Sequence, residues 1–322
     1  MADQADEYVS VHKRNISQIK NKKRRLEEYL KLKREKQKAS LCLTFERSGH
    51  LKRLAQQKRR KEAKALGDDA PPKQVPRTIE NTREPDDTMV DPEDEEVQLD
   101  EAMDEMAAYF RKEYTPKLLI TTSDNPHRRT IKFCRELKQS IPDAEFRWRN
   151  RSRIKKTVEQ AVERGYSDIA IINEDRRHPN GLLLTHLPDG PTAYFRLSSV
   201  KFCKDIKKRA SYTGHRPEVI LNNFNTRLGH SVARMLASLF HYDPQFQGRR
   251  VVTFHNQRDY IFFRHHRYEF RNAERVNIQE IGPRFTLRLK SLQKGTFDSK
   301  FGEYEWVLKR HEMETSRRRF FL

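Results

Sequence analysis

Twice in this chain a strand-length apolar run leads through a polar loop into a helix-periodic stretch and then into paired strand-like runs. That recurrence is what most limits the fold. In the first copy, over 117–197, Lys117-Leu-Leu-Ile-Thr-Thr122 reads as a strand and Ser123 to Arg129 as a loop. Thr130 then opens a helix with Ile131, Cys134 and Leu137 at helical spacing. A second helix from Ser152 places Ile154, Val158 and Ala161 on one face, with Gly165 as its C-cap. Asp168-Ile-Ala-Ile-Ile172 is a buried strand, and Gly181–His186 and Thr192–Leu197 flank Leu187-Pro-Asp-Gly-Pro191 as a hairpin. The second copy, over 218–292, has Glu218–Leu221 as its strand and a helix from Thr226 carrying Leu228, Val232, Met235 and Leu236. A hairpin of Val251–Phe254 and Tyr260–Arg264 follows. Strands and helices alternate within each copy, so the expected fold is α/β with a mixed sheet, built of two related halves.

The second copy ends in Glu280-Ile-Gly-Pro-Arg284-Phe-Thr-Leu-Arg288-Leu-Lys290-Ser-Leu-Gln-Lys294-Gly295. After the Gly282-Pro283 turn signal, Phe285, Leu287 and Leu289 fall on one face and Arg284, Thr286, Arg288 and Lys290 on the other. A strand held by its apolar face can offer its cations to a phosphate backbone. The same pattern also fits an ordinary half-buried strand with a solvated basic face.

Charge argues for the first alternative. The 322 residues carry a formal net charge of +20, a balance that suits a polyanion partner better than a small-molecule substrate. Residues 1–66 are dense in Lys and Arg, as in Lys22-Lys-Arg-Arg25 and Lys58-Arg-Arg-Lys61, with too few apolar residues for a core-facing stripe. They read as a basic extension, helical or partly disordered, that can lie along phosphates and serve as a nuclear or nucleolar address. Residues 67–113 reverse the sign, with Asp91-Pro-Glu-Asp-Glu-Glu96 and several prolines, and read as an acidic linker. Residues 301–322 read as a helical tail with Trp306 and Met313 on one face. Cys42, Cys134 and Cys203 form no CxxC pair, and no apolar run reaches membrane length, so the chain reads as soluble and intracellular.

The constellations of catalysis are missing. No phosphate loop, GxGxxG turn, HExxH pair or GxSxG elbow occurs, and His265-His266 in a strand would point to opposite faces. No cofactor, metal or small-molecule substrate is expected, and no enzymatic activity. Cations are plentiful instead, among them Arg128, Arg129, Arg264 and Arg267, interleaved with Trp148, Tyr212, Phe263 and Tyr268. Guanidinium groups suit phosphate, and exposed aromatics suit unpaired bases.

Leu118-Leu-Ile-Thr-Thr-Ser-Asp-Asn-Pro126, Asp168–Ile172, Gly181–Pro191 and Glu280–Arg284, in that order, resemble the Brix domain over 114–300. The resemblance implies two halves, about 114–200 and 216–297, each similar to an anticodon-binding domain of class II aminoacyl-tRNA synthetases. It implies a nucleolar, non-catalytic factor that binds precursor ribosomal RNA of the large (60S) subunit during pre-rRNA processing, with ribosomal proteins and other assembly factors as partners. The stretch Glu280 to Phe297 matches a segment likened to a sigma-factor motif, which makes Arg284, Arg288, Lys290 and Lys294 the expected phosphate contacts. Asp124-Asn125 departs from the family's first loop, where many members carry a cation. Two rivals remain from the residues alone: an RNA-processing enzyme, and a protein scaffold whose ordered domain never touches RNA.

Overall fold

A computed structural model describes residues 19–31, 33–34, 76–78, 80–84, 87–91, 94–272, 275–298, 301–309, 313 and 319–322. The chain separates into two compact units, Met1–Pro76 and Arg77–Leu322. In the first, residues 22–31 form a helix (α1) whose Asn21 side chain accepts from the Lys23 amide at 3.0 Å. Its Leu26, Tyr29 and Leu30 are exposed along with its cations, which is the polar-all-round helix that the sequence suggests. The rest of the basic extension lies outside the described residues.

In the second unit the helices are α2 (Glu95–Met103), α3 (Ala107–Phe110), α4 (Arg128–Ser140), α5 (Ile154–Glu163) and α6 (Arg227–Ala237). The strands are β1 (Leu118–Thr122), β2 (Ala144–Phe146), β3 (Asp168–Asp175), β4 (His178–His186), β5 (Thr192–Lys201) and β6 (Glu218–Asn222). They continue with β7 (Arg250–Gln257), β8 (Tyr260–Asn272), β9 (Arg275–Glu280), β10 (Arg284–Gln293) and β11 (Tyr304–Val307). One mixed sheet runs β2-β1-β3-β4-β5-β10-β8-β7-β6, with β9 on β8 and β11 on β10.

The two halves are legible in that order. In each, two parallel strands (β1 and β3; β6 and β7) lead into antiparallel neighbours, and the last strands of the halves, β5 and β10, pair antiparallel at the centre. The strand that sequence alternation singles out is therefore the seam of the sheet. Its apolar face faces α4 and α6, and one core spans both halves: Phe133, Cys134 and Leu137 of α4, Val232, Met235 and Leu236 of α6, and Phe285, Leu287 and Leu289 of β10. Phe285 stacks on Phe263 of the second half at 4.3 Å and meets Phe133 of the first edge-on at 5.3 Å.

On the opposite face a smaller cluster packs α5 on the first half, with Ala161, Tyr166, Ile169, Ile171 and Leu187. The second half has no counterpart of α5 among the described residues. That asymmetry leaves the second face of β5, β10, β8 and β7 without a helix.

Two stretches differ from their sequence reading. The tail is not helical at Tyr304–Val307, which pairs with β10 as β11. β8 pairs with β10 only at Phe285, Thr286 and Leu287, so one edge of β10 beyond them would be unpaired, and β11 fills it. The acidic stretch is docked on α6 from residue 87 onward. Met89 bridges Thr226, and the Arg234 guanidinium bonds Asp104 at 2.6 and 2.8 Å and stacks over Phe110 at 4.0 Å. Its acidity is a match for α6, whose outward face carries Arg227, His230 and Arg234.

Because Phe285 serves both halves, Phe285→Ala should cost about 3–5 kcal/mol. The cost should fall on the whole unit as one transition. Urea denaturation followed by the fluorescence of Trp148 and Trp306 and by circular dichroism should give coincident curves for the variant, shifted together.

Candidate nucleic-acid interface

The alternation of β10 sends Arg284 and Arg288 to the face that lacks a helix, and the register of its neighbours decides what meets them there. Arg288 lies directly opposite Arg196 of β5, and Arg284 directly opposite Lys201. On the other side β8 pairs Phe262 with Thr286 and Phe263 with Phe285, so Arg264 falls next to Arg284 on the same face. Arg196, Lys201, Arg264, Arg284 and Arg288 thus lie on three adjacent strands of one surface. Like charges directly opposite on a sheet repel, so this arrangement costs stability unless an anion sits between them.

Among the described residues the one carboxylate in an ion pair with these cations is Glu280, while the half-buried Asp259 carboxylate also feels the Arg288 charge. Arg284 donates through Nε to Glu280 at 2.9 Å and again through Nη2. Burial pushes the Glu280 carboxyl up, but the Arg284 hydrogen bond and charge, with His266 and Arg264, outweigh it and hold it below the usual range. Arg264 is held below its ordinary value, chiefly by burial and then by the Arg284 charge. It donates to the Phe263 carbonyl at 2.8 Å, which flattens it across the sheet. Arg288 donates to the Tyr260 hydroxyl at 3.2 Å and lies over that ring at 5.0 Å. Arg196 and Lys201 are exposed and make no ion pair among the described residues.

The strand is fixed at both ends. Before it, His265 and Arg250, both buried on the helix side, anchor the turn: Arg250 Nε donates to His265 Nε2 at 3.1 Å, and His265 Nδ1 donates to the Gly282 carbonyl at 2.9 Å. Arg250 also donates to the carbonyls of Thr213 and Gln139 at 2.7 and 3.1 Å. Gly282 sits at φ +89°, with the Ile206 side chain where a Cβ would be. After it, Gly295 lies against Gly190 in the β4–β5 hairpin so closely that a Cβ on Gly190 would overlap its backbone, and Thr192 donates to the Gly295 carbonyl at 2.9 Å.

The remaining expected residues divide. Lys290 sits at the bulge where β10 shifts register against β5, and it has interactions of its own. Lys294 is exposed just past the strand end, near enough to Glu305 to act on its carboxyl. Arg267 lies on the other face of β8, donating to Ser211 at 3.3 Å, and does not join the group. Arg128 and Arg129 open α4 far from β10 in the sheet order. There the helix N-terminus already has its anion. Glu174 accepts from the His127 amide at 2.8 Å and from Thr130 Oγ1 at 2.6 Å, with His127 rather than Thr130 at the N-cap. His265 and His266 point to opposite faces, as strand alternation requires, and only His266 borders the cations. Arg196 and Lys201 were missed by sequence reasoning. Arg196 stands between core residues Phe195 and Leu197 at period two, which places it on the polar face, but only the β5–β10 register shows that it faces Arg288.

The family model described as the Brix domain matches residues 123–291. This chain belongs to the Brix domain family. It is 56% identical over 309 residues to ribosome production factor 1 of Pongo abelii, covering 96% of this chain and 85% of that protein. It is 62% identical over 259 residues to ribosome production factor 1 of Xenopus laevis, covering 80% and 76%. A Brix domain-containing protein of Schizosaccharomyces pombe is 42% identical over 316 residues, covering 95% of this chain and all of that one. The matched span begins in the loop after β1 and ends inside β10, so it takes in the seam and its cations.

Burial, followed by the Arg250 charge, holds the His265 imidazole down at about 3. Folding therefore keeps it neutral while the unfolded chain protonates near its ordinary value of about 6.5. The stabilisation is complete above that value and is lost as pH falls toward the folded one. Denaturation between pH 7 and 4.5 should show stability falling up to about 1.4 kcal/mol per pH unit more steeply than in His265→Gln, which keeps a donor and an acceptor but does not titrate.

Proposed function

We propose that this Brix-domain chain is a non-catalytic assembly factor for the large (60S) ribosomal subunit that binds precursor ribosomal RNA. The open face of its central sheet is the binding surface. The observation that carries this reading is the juxtaposition of Arg196, Lys201, Arg264, Arg284 and Arg288 on a helix-free face, where Glu280 pairs with Arg284 and Asp259 acts on Arg288, leaving more cations than carboxylates among the described residues. Cations placed against one another at a cost in repulsion gain that cost back when phosphates come between them.

An RNA backbone crossing the seam would meet arginines on β5, β10 and β8 in turn, while Tyr260 offers a ring edge beside Arg288. The family supports ribosome assembly as the setting, since ribosome production factor 1 is the name its relatives bear. The basic helix α1 would add a second contact along phosphates. A nuclear and nucleolar location follows from that role, as do partners among ribosomal proteins and other assembly factors. Lys294, exposed past the end of β10, extends the surface, and Arg128 and Arg129 form a separate basic point beside α4.

Replacing Arg196, Lys201, Arg284 and Arg288 together with Ala should weaken binding to a large-subunit precursor transcript in fluorescence anisotropy. The slope of log affinity against log salt should flatten by about 3, at roughly 0.7–0.9 per phosphate contact. The melting temperature should fall only slightly, since the loss of the Arg284–Glu280 pair is offset by relief of repulsion among the cations. Arg267→Ala, on the other face, should leave affinity and slope as they are. An unchanged slope in the quadruple variant would refute the assignment.

A further inference from the structure

β8 is longer than its partner β7. Their pairing ends at Arg250 and Arg267, with one more bond from the Tyr268 amide to the Arg249 carbonyl at 2.9 Å. From there residues 269–272 run on, paired only with β9, as a two-stranded ribbon beyond the sheet. Such a ribbon is marginally stable by itself in water and needs something to pack on. On one side it shows Tyr268 opposite Ile278 and Phe270 opposite Val276. Phe270 is 67% exposed, Ile278 62% and Val276 43%. The other side carries Arg275 and Asn277, with Arg271 exposed at the bulge between Phe270 and Asn272 and Glu269 already paired to Arg249 at 3.2 Å. The outer edge of β9 has no backbone partner between 275 and 279 among the described residues; only at Glu280 does the Ala210 amide bond it, at 2.8 Å.

We propose that the free edge of β9, with the apolar ribbon Phe270/Val276/Ile278, is the docking site for a strand of a partner protein whose residues alternate aliphatic and acidic. Three features fix that chemistry. An unpaired strand edge takes another strand by main-chain hydrogen bonds. On β9 itself the exposed apolar side chains are the branched Val276 and Ile278, which have no π-face for a base, so a strand along this edge meets aliphatic groups suited to aliphatic partners. Arg275 alternates to the side of β9 opposite Val276 and Ile278, with Arg271 exposed at the neighbouring bulge, so a strand laid on β9 meets apolar groups on one side and cationic charge on the other. Alternation of aliphatic and acidic residues is the pattern that satisfies both. The site is separate from the cations of β5 and β10, and it stands whether or not those bind RNA.

The test is photocrosslinking in cells that express the full chain with benzoylphenylalanine at position 278 and, in a parallel strain, at position 288. Crosslinked products are digested and sequenced by mass spectrometry. The expected result is a polypeptide adduct at 278 that maps to one segment alternating aliphatic and acidic residues. Its yield should fall about tenfold or more in Arg271→Glu/Arg275→Glu and in Phe270→Ser/Val276→Ser. Both pairs are exposed, so unchanged melting temperatures show that the loss is one of docking. An adduct at 278 to RNA, no adduct at all, or a segment without acidic residues would overturn the proposal. So would a yield unaffected by charge reversal. Position 288 reports the RNA reading independently, so failure at one position leaves the other intact.

Discussion

The structure depends on the pairing of β5 with β10. Each half alone would leave one long strand edge bare and one apolar face half covered. Joining them antiparallel at the centre closes both deficits at once, because α4 and α6 then lie on one side of a single sheet and share one core. Phe285 expresses this most directly, with a stacked partner from one half and an edge-on partner from the other. Arg250 does the same by hydrogen bonds, since its donors reach Gln139 at the end of α4 as well as Thr213 in the connector. A fully buried guanidinium is expensive to desolvate, and its carbonyl partners and His265 are what make the position tolerable.

The same seam sets the electrostatics of the open face. A strand that must present Phe285, Leu287 and Leu289 to the core has no freedom over which way Arg284 and Arg288 point. Register then brings Arg196 and Lys201 against them. Repulsion on that face is therefore held in place by hydrophobic burial on the other, at roughly 25 cal/mol per Å² of apolar surface removed from water. Cations that could otherwise relax apart are kept side by side, and the cost of assembling these charges is met in folding.

Local signals carried much of this into the sequence. The alternation of β10, the hairpin at Leu187–Pro191, the Thr226 cap of α6 and the opposed rings of His265 and His266 are set by near neighbours, and the structure has them as read. What was not legible is non-local. Arg196 and Lys201 acquire meaning only through the β5–β10 register, where bulges on both sides of the paired stretch shift the partners. β9 escaped notice because its apolar residues, Val276 and Ile278, are too few to mark a strand without knowing that β8 runs past β7. Tyr304–Val307 reads as a helix by spacing and becomes a strand because β10 offers an unpaired edge. Arg267 was grouped with Arg264 by proximity in sequence, and strand parity separates them.

Charge in the domain is sorted by face. On the helix side the cations of α6 are answered within the chain: Arg234 by Asp104 and Glu101, Arg227 by Glu96, His230 by Glu101. The acidic stretch thus acts as a counter-surface for one side of the domain, not merely as a spacer. Exposed ion pairs of this kind add little stability one by one. Their effect is on where positive potential remains. With Arg227, His230 and Arg234 of α6 answered in this way, Arg196 and Lys201 of β5 on the open face remain without an ion pair among the described residues. In a chain that is basic overall, the most acidic segment thus sets its charge against one helix of the fold.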